Sequence, residues 1–164
     1  MKKISILLCV VLVLQMLSGC FSKEEDFREP INFYYYSNEV NYNSSTGIIC
    51  PEVREGAGYH GNLTGFLQSY LNGPKSSAVR KIIPSDVYLV SCELNDDVIK
   101  ILFSKSFENL SGIDLSVACC ALLLTVHDYT GVNTIVISAK DGKIDDKDSI
   151  TFTMDDIVLM DHTM

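Results

Sequence analysis

The stretch "LSVACCALLLTV", residues Leu115–Val126, decides what kind of fold this 164-residue chain can adopt. Ten of its twelve residues are apolar, and the two exceptions are Ser116 and Thr125. The pattern predicts a helix from about Leu115 to His127 that is ended by Gly131. A helix that packs on one side keeps a polar face, and this one has none. Its other side must be covered, either by another layer of the chain itself, for which the acidic C-terminal segment is a candidate, or by another protein.

A second protein would need a contact face on this helix. We assign the candidate interaction face to Ser116, Leu123 and Leu124. Helices that are apolar all round are usually buried within their own domain, which favours coverage by the chain itself. The sequence alone leaves both alternatives open.

Upstream of the apolar helix, the sequence predicts two strands and a shorter helix. "INFYYYSN", which starts at Ile31, is rich in β-forming aromatic residues, and "IICPEVR" is a weaker strand that Pro51 restricts to a sheet edge. The shorter helix is ended by Gly73 and Pro74. Its apolar face has helical spacing and consists of Leu63, Phe66, Leu67, Tyr70 and Leu71.

A β-hairpin is predicted between the two helices. The strands "VYLVSCEL" and "VIKILFS" are separated by the polar turn Asn95-Asp96-Asp97. Alternation places one face of each strand in a common core: Tyr88, Val90, Cys92 and Leu94 from the first strand, and Ile99, Ile101 and Phe103 from the second. After the apolar helix, "NTIVISA" is a strand with Ile135 and Ile137 in the core, and "SITFTM" is a further candidate strand.

The order strand, helix, strand, strand, helix, strand predicts a compact α+β fold. We expect a two-layer sandwich in which a mixed or antiparallel sheet of about four strands carries two helices on one face. This domain spans residues 31–143. Residues 144–164 form an acidic C-terminal extension that contains the further strand.

The N-terminus has the pattern of an export signal. Lys2 and Lys3 precede an apolar run of twelve residues, Ile6–Leu17, which is too short to span a bilayer. Ser18-Gly19-Cys20 follows at once and resembles the bacterial lipobox, in which the cysteine receives a diacylglycerol and becomes the first residue of the mature protein. The resemblance implies a lipoprotein signal peptide at residues 1–19. Residues 20–30 are then a lipidated cysteine and a charged tether; the alternative is an ordinary secretory signal.

The charge of the mature chain excludes one class of partner. Removing Lys2 and Lys3 from 13 basic residues leaves 11, against 21 acidic residues, which is a net charge of −10. Binding to nucleic acid requires clustered Lys and Arg to neutralise phosphates. The sequence therefore predicts no nucleic-acid partner, and the expected membrane contact is the lipid at Cys20.

The remaining cysteines and the acidic residues do not form a recognisable catalytic or metal site. Cys50, Cys92, Cys119 and Cys120 allow three disulfide connectivities, and we favour free thiols that behave as small apolar residues. The spacing of Cys120 and His127 on one helical face lacks the paired ligands of a structural zinc site. The acidic run from Asp145 to Asp148 lacks the glycine and glutamate positions of a calcium loop. We therefore predict no cofactor, no metal and no enzymatic activity.

Three segments resemble the GerM-type (GerMN) domain of bacterial sporulation and spore germination lipoproteins. They are "FLQSYLNGP", "IIPSDVYLVSCELNDDVIKILFSKSF" and "ALLLTVHDYTGVNTIVISAKDGK". The shared pattern is an aromatic strand, a helix ended by Leu71–Pro74, an Ile83-Pro84 step, Phe103-Ser104 after the hairpin, Thr125 and Gly131-Val132. The resemblance covers about residues 31–143. The family implies a non-enzymatic envelope module related to domains that build rings at membranes, and this chain has room for one copy.

The function expected from this resemblance is structural. We expect an extracytoplasmic, membrane-anchored component of an envelope, sporulation or germination complex, which contacts copies of itself in a ring or another envelope protein. The alternative is an extracytoplasmic ligand-binding or sensor-accessory lipoprotein, which requires a deep pocket with convergent polar groups.

Overall fold

The computed structural model describes residues 30–39 and 48–157. Cys20, the signal, the tether and residues 158–164 lie outside the described part of the chain. Two α-helices and seven strands form the domain, joined in places by single 3₁₀ turns. In chain order they are β1 Pro30–Ser37, β2 Ile49–Glu55, α1 Leu63–Leu71, β3 Val79–Arg80, β4 Leu89–Asn95, β5 Val98–Phe103, α2 Gly112–Thr130, β6 Thr134–Ala139 and β7 Ile150–Thr153.

The strands form two sheets. The larger sheet has the order β4-β5-β6-β7, with β5 and β6 parallel and the outer pairs antiparallel. The smaller sheet has the order β2-β1-β3 and is antiparallel. The parallel pair β5–β6 is joined through α2, which is the crossover helix that such a pair requires. The α+β sandwich with a mixed four-stranded sheet is confirmed, and the aromatic strand β1 lies in the second sheet rather than in this one.

The apolar helix α2 is covered by its own chain on two sides. Nine of its residues are buried, and most of them belong to the same core cluster as the buried side chains of β5 and β6. Strand β1 runs along a second side of the helix, where it has no strand neighbour because β3 pairs only with Tyr36 and Ser37. The structure therefore favours the first of the two alternatives for most of this helix.

Hydrogen bonds fix β1 to α2 at the edge of the smaller sheet. The Tyr34 backbone N–H donates to Thr125 Oγ1 at 2.9 Å, and the Asn32 backbone N–H donates to Asp128 Oδ2 at 2.9 Å. The Thr125 hydroxyl donates in turn to the Ala121 carbonyl oxygen at 2.8 Å and is completely buried. One threonine thus satisfies a strand amide that would otherwise be an unpaired buried donor.

An aromatic cluster joins α1 to β1. The Phe33 and Phe66 rings lie 4.8 Å apart, and the Tyr35 and Tyr70 rings stack at 5.0 Å. Helix α1 has the bounds that its apolar spacing predicts, and Asn62 caps its first turn by accepting from the Gly65 N–H at 2.8 Å. The apolar face of α1 therefore serves the smaller sheet.

The predicted core face of β4 is wrong at three positions, since Tyr88, Val90 and Leu94 are all exposed. The pairing of β4 with β5 shifts between Leu89 and Ser91, so one extra residue is accommodated at Val90. Because of this shift, Leu89 faces the core side, whereas Tyr88 and Val90 are exposed. Alternation assumes an unbroken ladder, and the bulge breaks it. The expected faces of β5 and β6 are confirmed, since all five of their predicted core residues are buried.

Helix α2 is also long and apolar enough to cross a membrane by length and composition. The same property is expected of a core helix, because both environments lack water. Its C-terminus is closed by Gly131, which adopts the left-handed conformation (φ 74°) and donates its N–H to the His127 carbonyl oxygen at 2.7 Å.

Replacing Thr125 by valine tests the link between β1 and α2. The Tyr34 amide would lose its acceptor in a buried site, and we expect the free energy of unfolding to fall by about 1–3 kcal/mol. Urea denaturation of the purified domain measures this change. The control is Ser116→Ala, since the Ser116 hydroxyl is exposed and bonds only within the helix, to Gly112; a loss for Thr125→Val no larger than for this control would contradict the assignment.

Candidate interaction surface and the buried ion pair

The three residues predicted as an interaction face on α2 occupy different environments. Ser116 is exposed, Leu124 is half-buried, and Leu123 has 0% of its surface exposed. Leu123 is therefore not accessible at the surface, whereas the contact role of Ser116 and Leu124 stays a prediction. Because the twelve-residue stretch has no polar face, its sequence did not indicate which side of the helix is exposed to solvent.

The exposed large apolar residues concentrate at β4, the outer strand of the larger sheet. Of five such residues in the described ranges, three lie on or next to this strand: Tyr88 (63% exposed), Leu94 (54%) and Val90 (39%). We call these three residues the β4 surface. The other two are Val53 on β2 and Ile113 on α2. Tyr88 and Val90 lie at the start of the strand, and Leu94 lies at its hairpin end, opposite Ile99. Apolar exposure on an outer strand is typical of a protein contact site.

A buried ion pair on β2 is the most polar feature of the interior. The side chains of Glu52 and Arg54, two positions apart on one strand, point to the same side, and Arg54 Nε lies 2.6 Å from Glu52 Oε1. The guanidinium also lies over the Phe33 ring, with Cζ 4.3 Å from the ring centroid. Sequence reasoning missed this pair; the only available signal was the Glu-x-Arg spacing in a predicted strand.

The hydrogen-bonding groups of the ion pair all have partners within the chain. Arg54 Nη2 donates to the Gly73 carbonyl oxygen at 2.8 Å, and Nη1 donates to Ser69 Oγ at 3.2 Å. Glu52 Oε2 accepts from the backbone N–H groups of Lys75 and Ser76 at 2.8 and 2.7 Å. The pair therefore joins β2 to the C-terminus of α1 and to the segment after it, and it offers no free polar group to a ligand.

The carboxyl group of Glu52 is held in its charged form. Burial opposes ionisation, but the Ser76 N–H and the Arg54 guanidinium outweigh it, so the pKa of Glu52 lies below its usual value. Because the folded-state pKa is lowered, this group stabilises the domain above the pKa of an unfolded glutamate. That contribution is lost as the pH falls through the lower folded-state pKa.

A cleft of about 720 Å³ lies beside this pair. It is open to solvent along β2, and its walls include Val53, Tyr59 and Lys75. A site for a small molecule usually encloses most of its ligand and presents convergent free polar groups. This cleft is open rather than enclosed. It presents no convergent free polar groups, because Glu52 and Arg54 beside it are bonded to each other.

The cysteines do not form a reactive or metal-binding centre within the described residues. Cys50, Cys92, Cys119 and Cys120 are free thiols, of which Cys119 is buried and the others are half-buried. Burial raises the pKa of the Cys119 thiol to about 12, which makes its nucleophilic thiolate form negligible at neutral pH. Among residues 30–39 and 48–157, no three His, Cys, Asp or Glu side chains are grouped to hold a metal ion.

Replacing Glu52 by glutamine tests the role of the ion pair. Arg54 would lose its counter-charge, and the single amide oxygen of glutamine could accept either from Arg54 or from the Lys75 and Ser76 N–H groups but not from both. We expect the free energy of unfolding at pH 7 to fall by about 3 kcal/mol. The double variant Glu52→Gln/Arg54→Met should lose less than the two single variants together, because no unpaired charge remains. Between pH 5 and 2 the stability of Glu52→Gln should fall less steeply than that of the unmodified protein; equal acid slopes would show that Glu52 does not carry the effect.

Two solved structures resemble the fold. A "putative lipoprotein" from Clostridium perfringens has 20% sequence identity and a TM-score of 0.49, with 77% of this chain and 89% of that chain covered. The tandem GerMN domains of the sporulation protein GerM from Bacillus subtilis have 19% identity and a TM-score of 0.51. The second match covers 69% of this chain but 39% of the tandem protein, so this chain spans less than half of that relative.

Comparison of sequences identifies the family. No relative was found among curated proteins. The sequence profile of the Germane family, described as sporulation and spore germination, matches residues 32–145, which is most of the domain. This interval contains α1, the β4–β5 hairpin and all of α2 and β6. The chain therefore belongs to the Germane family, the family of GerM-type domains.

Proposed function

We propose that the protein is a non-enzymatic lipoprotein that is anchored by Cys20 on the extracytoplasmic side of the cell membrane and contacts protein partners through its GerM-type domain. The process would be sporulation or germination, as in the family description. The partner is a second copy of the chain or another protein of the envelope complex.

The observation that carries the proposal is the β4 surface. Its three apolar side chains are exposed on or next to an outer strand of the larger sheet. The opposite situation holds at the buried ion pair, whose donors and acceptors are all used internally. A contact function therefore has more support than the alternative of ligand binding.

The lipid anchor supports such a function because it raises the local concentration of the protein at the membrane. Proteins confined to a membrane surface meet at a much higher local concentration than proteins in solution, so a modest contact area can be sufficient. Two acyl chains on Cys20 would give stable anchoring, whereas one chain alone would bind reversibly.

Lipidation is tested by metabolic labelling with a radioactive fatty acid. We expect the label in the unmodified protein and in Cys9→Ala, whose changed residue lies within the predicted signal, and no label in Cys20→Ala. An unlabelled wild-type protein, or label that persists in Cys20→Ala, would contradict the anchor.

Contact through the β4 surface is tested by a photo-crosslinking amino acid at Val90 in the lipidated protein in its own membrane. We expect adducts at Val90 and none at the matched position Val53, which is also an exposed strand residue but lies on the other sheet. A ladder at multiples of the monomer mass would indicate self-assembly, and one discrete heavier band would indicate a different partner. Absence of adducts at Val90 would contradict the proposal.

A further inference from the structure

The outer edge of β4 has no strand neighbour within the described part of the chain. None of the seven residues of this strand is buried, and five of them are exposed. Among residues 30–39 and 48–157, no backbone–backbone hydrogen bond outside the regular elements involves Leu89–Asn95. This edge therefore presents backbone donors and acceptors with which a further strand can pair.

The other outer strands described in the two sheets have features that hinder such pairing. Strand β2 contains Pro51, which has no N–H to donate, and strands β3 and β7 have only two and four residues. Strand β4 has a bulge at Val90, but its pairing with β5 is regular from Ser91 to Asn95. This regular stretch is the longest proline-free run on an outer strand in the described ranges.

The hairpin turn determines which backbone groups of β4 point to the open edge. Asn95 and Val98 close a two-residue turn, and the closing pair of such a turn is hydrogen-bonded. Hydrogen-bonded pairs alternate along an antiparallel ladder, so every second residue of β4 bonds to β5. The N–H and C=O groups of Cys92 and Leu94, which lie at the alternate positions, therefore point outward.

The sequence of β4 is complementary to itself in one antiparallel register. Because outward-pointing residues must face each other, two copies of the strand pair around a single central residue. With Cys92 at the centre, Val90 faces Leu94 of the second copy, and Ser91 faces Glu93. With Glu93 at the centre, two carboxylates would lie directly opposite each other, which is destabilising.

The register centred on Ser91 is also unfavourable. It would place the Glu93 carboxylate opposite the apolar Leu89. In the register centred on Cys92, the acidic turns Asp96-Asp97 lie at opposite ends of the contact, so their charges are far apart. A strand that matches itself in this way favours a second copy of the chain as the partner, because a two-fold contact requires a self-complementary surface.

We propose that two copies of the chain pair antiparallel along β4, centred on Cys92, so that their larger sheets form one continuous eight-stranded sheet. The two Cys92 residues exchange backbone hydrogen bonds, and the exposed side chains of Val90 and Leu94 cover each other at both ends of the contact. The contact is short, so it forms between copies concentrated at a membrane. The inference rests on the proposed function, because it uses the same β4 surface, and it adds the partner and the geometry.

A disulfide between residues 91 and 93 of different copies tests the register. In the proposed pairing these residues face each other without hydrogen bonds, and such pairs bring the side chains closest. Ser91→Cys and Glu93→Cys, each with its own tag and with Cys92→Ser, are co-expressed as full-length protein in the membrane. We expect mild oxidation to link the two tags at least about fivefold faster than it links Val53→Cys to itself, because Val53, exposed on the outer strand of the other sheet, meets its copy only by collision.

The outcomes separate this inference from the proposed function. A link of residue 91 to 91, or of 93 to 93, that forms as fast as the mixed link would overturn the register. A mixed link no faster than that of the Val53 control would overturn the pairing. In that case, photo-adducts of Val90 with a different protein would leave the contact function standing, whereas the absence of adducts at Val90 would contradict both.

Proline substitutions give a second readout. Leu94→Pro, introduced into both tagged copies, removes an N–H that points to the open edge, so the urea stability of the purified domain should stay unchanged while the mixed link slows to the rate of the Val53 control. Ser91→Pro is the matched control in the untagged protein: it removes an N–H that bonds to β5 and should lower the urea stability. An unchanged mixed link in Leu94→Pro would overturn the inference.

Discussion

The fold depends on the burial of one helix that has no polar face. A helix of this composition is stable in water only if neighbouring elements cover it on several sides. Here the larger sheet covers one side and β1 covers another, and the Tyr34–Thr125 hydrogen bond satisfies the backbone where strand and helix meet. Two sheets with no common strand are in this way packed on a single helix.

The smaller sheet is held in place by a second set of interactions. The Arg54–Glu52 pair satisfies backbone groups at the end of α1 and in the segment that follows it, and the guanidinium packs on aromatic rings of β1. Removing one member of a buried pair is costly because the other charge remains without a partner. The pair therefore specifies how β2, α1 and β1 meet, which apolar contacts alone would specify less strictly.

Local patterns predicted most of the elements but fewer of their contacts. Helix α1 has its predicted bounds because its apolar spacing and its cap are encoded within a few residues. The exposed positions of Tyr88 and Val90 were missed because a bulge depends on the pairing between two strands. The position of β1 beside α2 depends on hydrogen bonds between residues more than 90 positions apart, and no short-range pattern encodes them. The Arg54 site was not predicted for the same reason.

These interactions also bear on function. A domain whose buried polar groups are satisfied internally and which, within the described ranges, exposes three of its five exposed large apolar residues at one outer strand is suited to protein contacts. Such a role requires that the two sheets behave as one rigid body around α2, since only then does the contact surface have a fixed shape.

The most direct measurement of this central claim is native-state hydrogen exchange of two amides, Tyr34 in β1 and Cys119 in α2, at increasing low concentrations of denaturant. If α2 joins both sheets into one cooperative unit, the two amides should exchange with the same opening free energy, equal to that of global unfolding. Exchange at Tyr34 through a smaller opening, while Cys119 stays protected, would contradict the account by showing that the smaller sheet separates from the helix.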